Sequence, residues 1–184
     1  MLPPGHIAGG YLAGRALLAV FGDPLSWDER LVLVAVCAFF AFAPDLYMLY
    51  SFLGRRKFIA SSGSKGSHRQ YVTHTPIPWL IAGGLLILAS PQLYWKMIGA
   101  AFIIGSWSHF FLDSIQYGIK WLWPISNKLY AFRDRGTEYG LSEKPFLAFW
   151  IQFICEYRRA FRLTFVLEIG IIALALLVSG LIPL

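Results

Sequence analysis

Five apolar runs, at about residues 6–21, 31–53, 75–90, 97–119 and 163–182, constrain this chain more than any other feature. An α-helix needs roughly 20 apolar residues to cross a bilayer, and the runs approach or reach that length, the first and third being short. The composition agrees: 57% of the 184 residues are hydrophobic and 14% are charged, too apolar for a soluble domain whose surface must be wetted. Seven Trp and nine Tyr suit rings that anchor at the two bilayer interfaces. The expectation is an all-α, polytopic helical membrane protein with about five transmembrane helices, built as a single domain over residues 1–184. A sixth apolar run, 145–156, is twelve residues long and opens on Pro145, so it reads as an interfacial or re-entrant helix.

Basic residues set the orientation. Arg55, Arg56, Lys57, Lys65 and Arg69 lie between the second and third runs, and Lys120, Lys128, Arg133, Arg135, Lys144, Arg158, Arg159 and Arg162 between the fourth and fifth. The short connections at 22–30 and 91–96 carry one each, Arg30 and Lys96. By the positive-inside rule the N-terminus is cytoplasmic and the C-terminus outside. The excess of sixteen Lys and Arg over ten Asp and Glu is thus an orientation signal, and no nucleic-acid partner is expected. Met1-Leu2-Pro3-Pro4-Gly5-His6 lacks the basic start of a secretory signal and Arg15 interrupts the first run, so no cleavable leader is expected. Cys37 and Cys155 show no metal-type spacing and read as small core fillers.

Ionisable residues in apolar runs are costly and mark function by default. The topology gathers seven of them near the inner leaflet: His6, Asp45, His68, His74, His109, Asp113 and Glu168. Imidazole is the commonest ligand for a borderline divalent metal, so a metal site is the leading hypothesis. His109 and Asp113 are four residues apart, on one helix face, where both can touch one ion or form a simple hydrogen-bonded pair. Ser67-His68-Arg69-Gln70-Tyr71-Val72-Thr73-His74-Thr75-Pro76 combines two candidate ligands with an arginine whose planar fork suits phosphate oxygens. Its alternative is a basic juxtamembrane loop on anionic headgroups. Thr73 or Thr75 can cap the next helix, with Pro76 in its first turn. Asp45 directly follows the helix-breaking Pro44, where a cap is the alternative, and Glu168 is a lone carboxylate for which pairing with Arg162 is the alternative. Trp121-Leu122-Trp123-Pro124 reads as an interface belt and a sharp turn.

His68-Arg69 followed by Thr73-His74, then His109-x-x-x-Asp113 in an apolar helix with Gly118 and Pro124 beyond, resembles the membrane-bound metal-dependent hydrolases, also described as LexA-binding, inner-membrane-associated hydrolases. His6 and Pro44-Asp45 resemble that family's early motifs, and the likeness runs from His6 to about Pro124, with Glu168 as a further match. Five residues separate His68 from His74, where the family often has four. The family is distantly similar to zinc-dependent phospholipase C and the single-strand nucleases. The resemblance implies phosphoester hydrolysis in a phosphorylated lipid or headgroup-like substrate at the cytoplasmic face of a prokaryotic inner membrane. In that scheme His6, Asp45, His68, His74, His109, Asp113 and Glu168 are the metal ligands to test, with zinc favoured and manganese the other candidate. Arg69 binds anionic oxygens and Asp45 is the candidate general base. The competing expectation is a non-enzymatic transporter or scaffold with a structural polar or metal site, and no residue of the 120–162 loop identifies a protein partner.

Overall fold

The computed structural model describes residues 1–46, 71–115, 118–132, 151–152, 154–155, 157–159 and 162–181. Among these residues the long helices are α1 (Pro3–Phe21), α2 (Trp27–Phe42), α3 (Pro76–Ala89), α4 (Leu93–Ser114) and α5 (Arg162–Leu181). Two single 3₁₀ turns, Ala43–Asp45 and Val72–His74, and helical residues at 151–152, 154–155 and 157–159 add to them, and the Ile119–Tyr130 bridge is the only strand-like pairing among the described residues. The all-α expectation holds.

Local chemistry explains the boundaries. α1 carries proline in its first turn, where a missing N–H costs nothing. α2 opens on a reciprocal capping box: Glu29 N–H donates to Ser26 Oγ at 3.4 Å, and Ser26 N–H donates to Glu29 Oε2 at 2.8 Å. The second apolar run was expected to continue to residue 53, yet regular helix stops at Phe42, because Pro44 cannot supply the next N–H and the chain tightens into a 3₁₀ turn. Residues 47–53 lie outside the described residues, as do 145–150 of the expected interfacial helix. Thr75 occupies the N-cap of α3 as expected, but its hydroxyl donates back to the Val72 carbonyl at 2.7 Å instead of capping forward.

One described helical segment, Arg162–Gly180, is long and apolar enough by itself to cross a membrane, and Pro76–Ala89 is a shorter apolar helix. α1 and α4 are diluted by polar groups turned inward: His6 on α1, and Ser106, His109 and Asp113 on α4, all buried. Apolar surface faces outward instead, with Leu88 on α3 83% exposed and Leu176 on α5 68% exposed.

α4 sits at the centre, packing on α1, α2 and α3, while α5 packs on α1. Leu17, Leu33, Cys37, Met97 and Ala101 form the buried core between them. Two glycines permit the closest approaches. A Cβ on Gly10 would meet the Cys37 carbonyl oxygen at 2.6 Å, and one on Gly105 would meet the same oxygen at 2.5 Å. Both α1 and α4 are thereby drawn against one turn of α2, where Cys37 Sγ donates to the Ala101 carbonyl at 3.3 Å. Cys155, expected in the core, is exposed. Trp121, read from sequence as an interface anchor, packs on Trp107 and Phe111 at 5.5 and 5.2 Å between ring centroids and donates its indole N–H to Ser114 Oγ at 2.9 Å, pinning residues 118–132 to the end of α4.

Because a Cβ on Gly10 would meet the Ala41 Cβ and the Cys37 carbonyl oxygen, neither of which can swing aside, Gly10→Val forces α1 away from α2. A loss of roughly 1–3 kcal/mol is expected from such overpacking, visible as a lower thermal midpoint in detergent; an unchanged midpoint would contradict the close approach.

Candidate functional site

Four separate stretches of chain converge below the α1–α2–α4 core. His6 comes from the first turn of α1, Asp45 from the turn after α2, His74 from the turn before α3, and His109 with Asp113 from the last turns of α4. All five side chains are buried, from 0% exposed for His6 and His109 to 7% for Asp45.

Each is set by local structure. Pro44 ends α2 and swings Asp45 inward. The His74 turn is fastened to α3 by Trp79, whose indole N–H donates to the Thr73 carbonyl at 2.8 Å. Trp79 in turn stacks within a Phe40–Trp79–Phe102 cluster that ties α2, α3 and α4 together. His109 Nδ1 lies 2.8 Å from the Ala41 carbonyl. A carbonyl can only accept, so Nδ1 carries the proton, and a neutral His109 presents a lone pair at Nε2.

Asp113 is the hub. Its Oδ2 is 3.3 Å from His74 Nε2 and 3.8 Å from His109 Nε2, while Oδ1 is 3.3 Å from His6 Nε2 and accepts from the Met1 ammonium at 2.7 Å. Asp45 faces the same imidazoles from the other side: Oδ1 lies 3.8 Å from His109 Nε2 and 4.0 Å from His74 Nδ1, and Oδ2 lies 3.9 Å from His6 Nε2. The His6 and His109 rings stack at 3.9 Å between centroids, and His74 meets His109 edge-on at 4.9 Å.

Two triads have the compactness of a metal site, His6–His109–Asp113 and Asp45–His74–His109, their ligand atoms all within 4.8 Å of one another. The donor chemistry passes a stricter test. Neither nitrogen of His6, and not Nε2 of His109, makes a hydrogen bond among the described residues. Buried polar atoms are ordinarily paired, and here an Nε2 lone pair faces two carboxylates. A cation between them resolves that arrangement, and the oriented Nδ1–H of His109 is the outer-shell bond typical of a ligating histidine.

Five of the seven metal-ligand candidates are thus brought together. Glu168 stands apart from both triads: its Oε1 accepts from Leu2 N–H at 3.0 Å and its Oε2 from the Tyr157 hydroxyl at 2.7 Å. His68, and Arg69 as the substrate-binding candidate, lie outside the described residues. Sequence reasoning missed Tyr157, which is 2% exposed, and the backbone of Leu2. Tyr157 sits in the charged stretch Glu156-Tyr157-Arg158-Arg159, where nothing in the pattern announces burial.

In ¹⁵N spectra of histidine-labelled protein, His109 is expected to show its proton on Nδ1. An Nε2–H tautomer would overturn the lone-pair geometry.

Residues 1–183 match the family model described as YdjM inner membrane protein. No curated protein and no solved structure matches the chain.

Proposed function

The chain belongs to the YdjM inner membrane protein family, and from that premise we propose a polytopic, metal-dependent hydrolase that cleaves a phosphoester in a membrane lipid or headgroup-like substrate. The single observation that carries the reading is the convergence of three imidazoles and two carboxylates from four chain segments, with lone pairs facing carboxylates and no hydrogen bond at His6 or at His109 Nε2. The chemistry of the bond cleaved is supported by the resemblance of His6, Pro44-Asp45, His68-Arg69, Thr73-His74 and His109-x-x-x-Asp113 to metal-dependent hydrolases. The reading adopts five membrane-crossing helices, with the N-terminus cytoplasmic and the C-terminus outside, supported by the basic residues clustered between the second and third apolar runs and between the fourth and fifth.

Imidazole and carboxylate donors favour zinc, with manganese the other candidate. When bound, such an ion lowers the pKa of water toward about 7 and polarises a phosphoryl oxygen. His6, His74, His109 and Asp113 would hold it, and the family resemblance adds His68 as a further candidate. Asp45, 3.8 to 4.0 Å from the three imidazoles, completes the second triad or takes the proton of the attacking water as general base. The guanidinium of Arg69 pairs with the anionic oxygens of the substrate. The second reading is a structural metal or polar site in a transporter or scaffold, favoured by the near-complete burial of all five side chains.

Protein purified in detergent without chelators is expected to retain stoichiometric divalent metal. His74→Ala and Asp113→Asn should each weaken binding by more than the roughly 10–100-fold typical of an outer-shell loss. Hydrolysis of a chromogenic phosphodiester that disappears in both variants supports the enzyme. Stoichiometric metal without hydrolysis of phosphodiester or phospholipid favours the structural reading, and absence of metal ends both metal readings.

A further inference from the structure

Glu168 sits beside the site and is spent elsewhere. Both its oxygens are engaged, Oε1 by the Leu2 N–H at 3.0 Å and Oε2 by Tyr157 at 2.7 Å, and it enters neither triad. Its carboxylate is pressed against the start of α1: a Cβ on Gly5 would lie 2.6 Å from Oε1 and 2.7 Å from Cγ. Leu2 is the N-cap residue of α1 and offers no side-chain cap, so the Glu168 carboxylate, reaching across from α5, takes that place at the positive end of the helix. His6 is one turn further on, its N–H donating to the Leu2 carbonyl at 3.2 Å.

The ring of His6 needs such support. Its Nε2 faces Asp113 Oδ1 at 3.3 Å, but neither nitrogen makes a hydrogen bond among the described residues, so its direction rests on that contact, on stacking against His109 and on the backbone that carries it. His109, by contrast, is aimed by the Ala41 carbonyl and has an orienting partner of its own. We propose that Glu168 is a positioning residue: held by Tyr157, it fixes the first turn of α1 so that His6 points at Asp113 and His109, and it acts on the metal only through His6. The inference rests on the metal-site reading above and extends it to the helical stretch bearing Tyr157, a route by which that segment sets the affinity of the site.

The test is zinc titration, by competition with a chromophoric chelator, of the full-length protein in detergent. Glu168→Gln keeps an acceptor for the Leu2 N–H and should stay within about threefold of wild type, whereas Glu168→Ala should weaken zinc roughly 10–100-fold, as an outer-shell loss does. Combining Glu168→Ala with His6→Ala should add nothing to His6→Ala alone, because coupled residues are not additive. The cobalt-substituted Glu168→Ala protein should share the visible spectrum of the cobalt-substituted His6→Ala protein. A Glu168→Gln loss as severe as that of Asp113→Asn, or additive losses with His6→Ala, would overturn the proposal by making Glu168 a ligand in its own right. Amide exchange at Leu2–His6 in metal-free protein provides an independent arm. Faster exchange in Glu168→Ala, restored in Glu168→Gln, is expected, and unchanged exchange overturns the positioning role. Should the wild type bind no zinc, the metal reading falls while the exchange arm still decides whether Glu168 holds the turn.

Discussion

Two carboxylates and three imidazoles packed into the inside of an apolar helix bundle have to compensate one another, and the arrangement of the chain follows from that requirement. A carboxylate buried in an apolar interior is costly unless it is compensated, and Asp45 and Asp113 are both buried. Asp113 is reached by two imidazole nitrogens at 3.3 Å and by the Met1 ammonium at 2.7 Å, while Asp45 is held further off, with no imidazole nitrogen among the described residues closer than 3.8 Å. The imbalance leaves room for a positive charge between them, and the lone pair of His109 Nε2 faces that space from both triads.

Delivering the five side chains to one place demands close backbones. Gly10 and Gly105 let α1 and α4 share one turn of α2, which sets the first turn of α1 and the last turns of α4 within reach of Asp45. Pro44 and the Trp79 indole bond then turn Asp45 and His74 inward from the ends of their helices. Polar residues on the inner faces and leucines on the outer faces invert the soluble pattern, as expected of an inner membrane protein.

Much of this was readable from residues alone. Apolar runs located the five long helices among the described residues, most of their ends shifted by up to five residues, but the second helix stops at Phe42, eleven residues short of its run, where Pro44 intervenes. Counting basic residues in loops placed seven ionisable residues near one leaflet, and five of them, His6, Asp45, His74, His109 and Asp113, meet, while Glu168 pairs with Leu2 and Tyr157 and His68 lies outside the described residues. Contacts through backbone escaped notice. The Leu2 N–H on Glu168, the Ala41 carbonyl on His109 and the Thr75 hydroxyl on Val72 carry no residue-type signature. Tyr157 and Cys155 show the same limit from opposite sides, one buried in a charged stretch and one exposed beside an apolar one, since a short helical segment's facing depends on what packs against it.

The central claim is a divalent ion held by imidazoles that arrive from separate helices. X-ray absorption at the zinc edge of protein purified without chelators examines it most directly. A first shell of nitrogen and oxygen at about 2.0–2.1 Å, with outer scattering from at least two imidazole rings that diminishes in His109→Ala, is the predicted result. Zinc that is substoichiometric, or a shell lacking imidazole scattering, would contradict it.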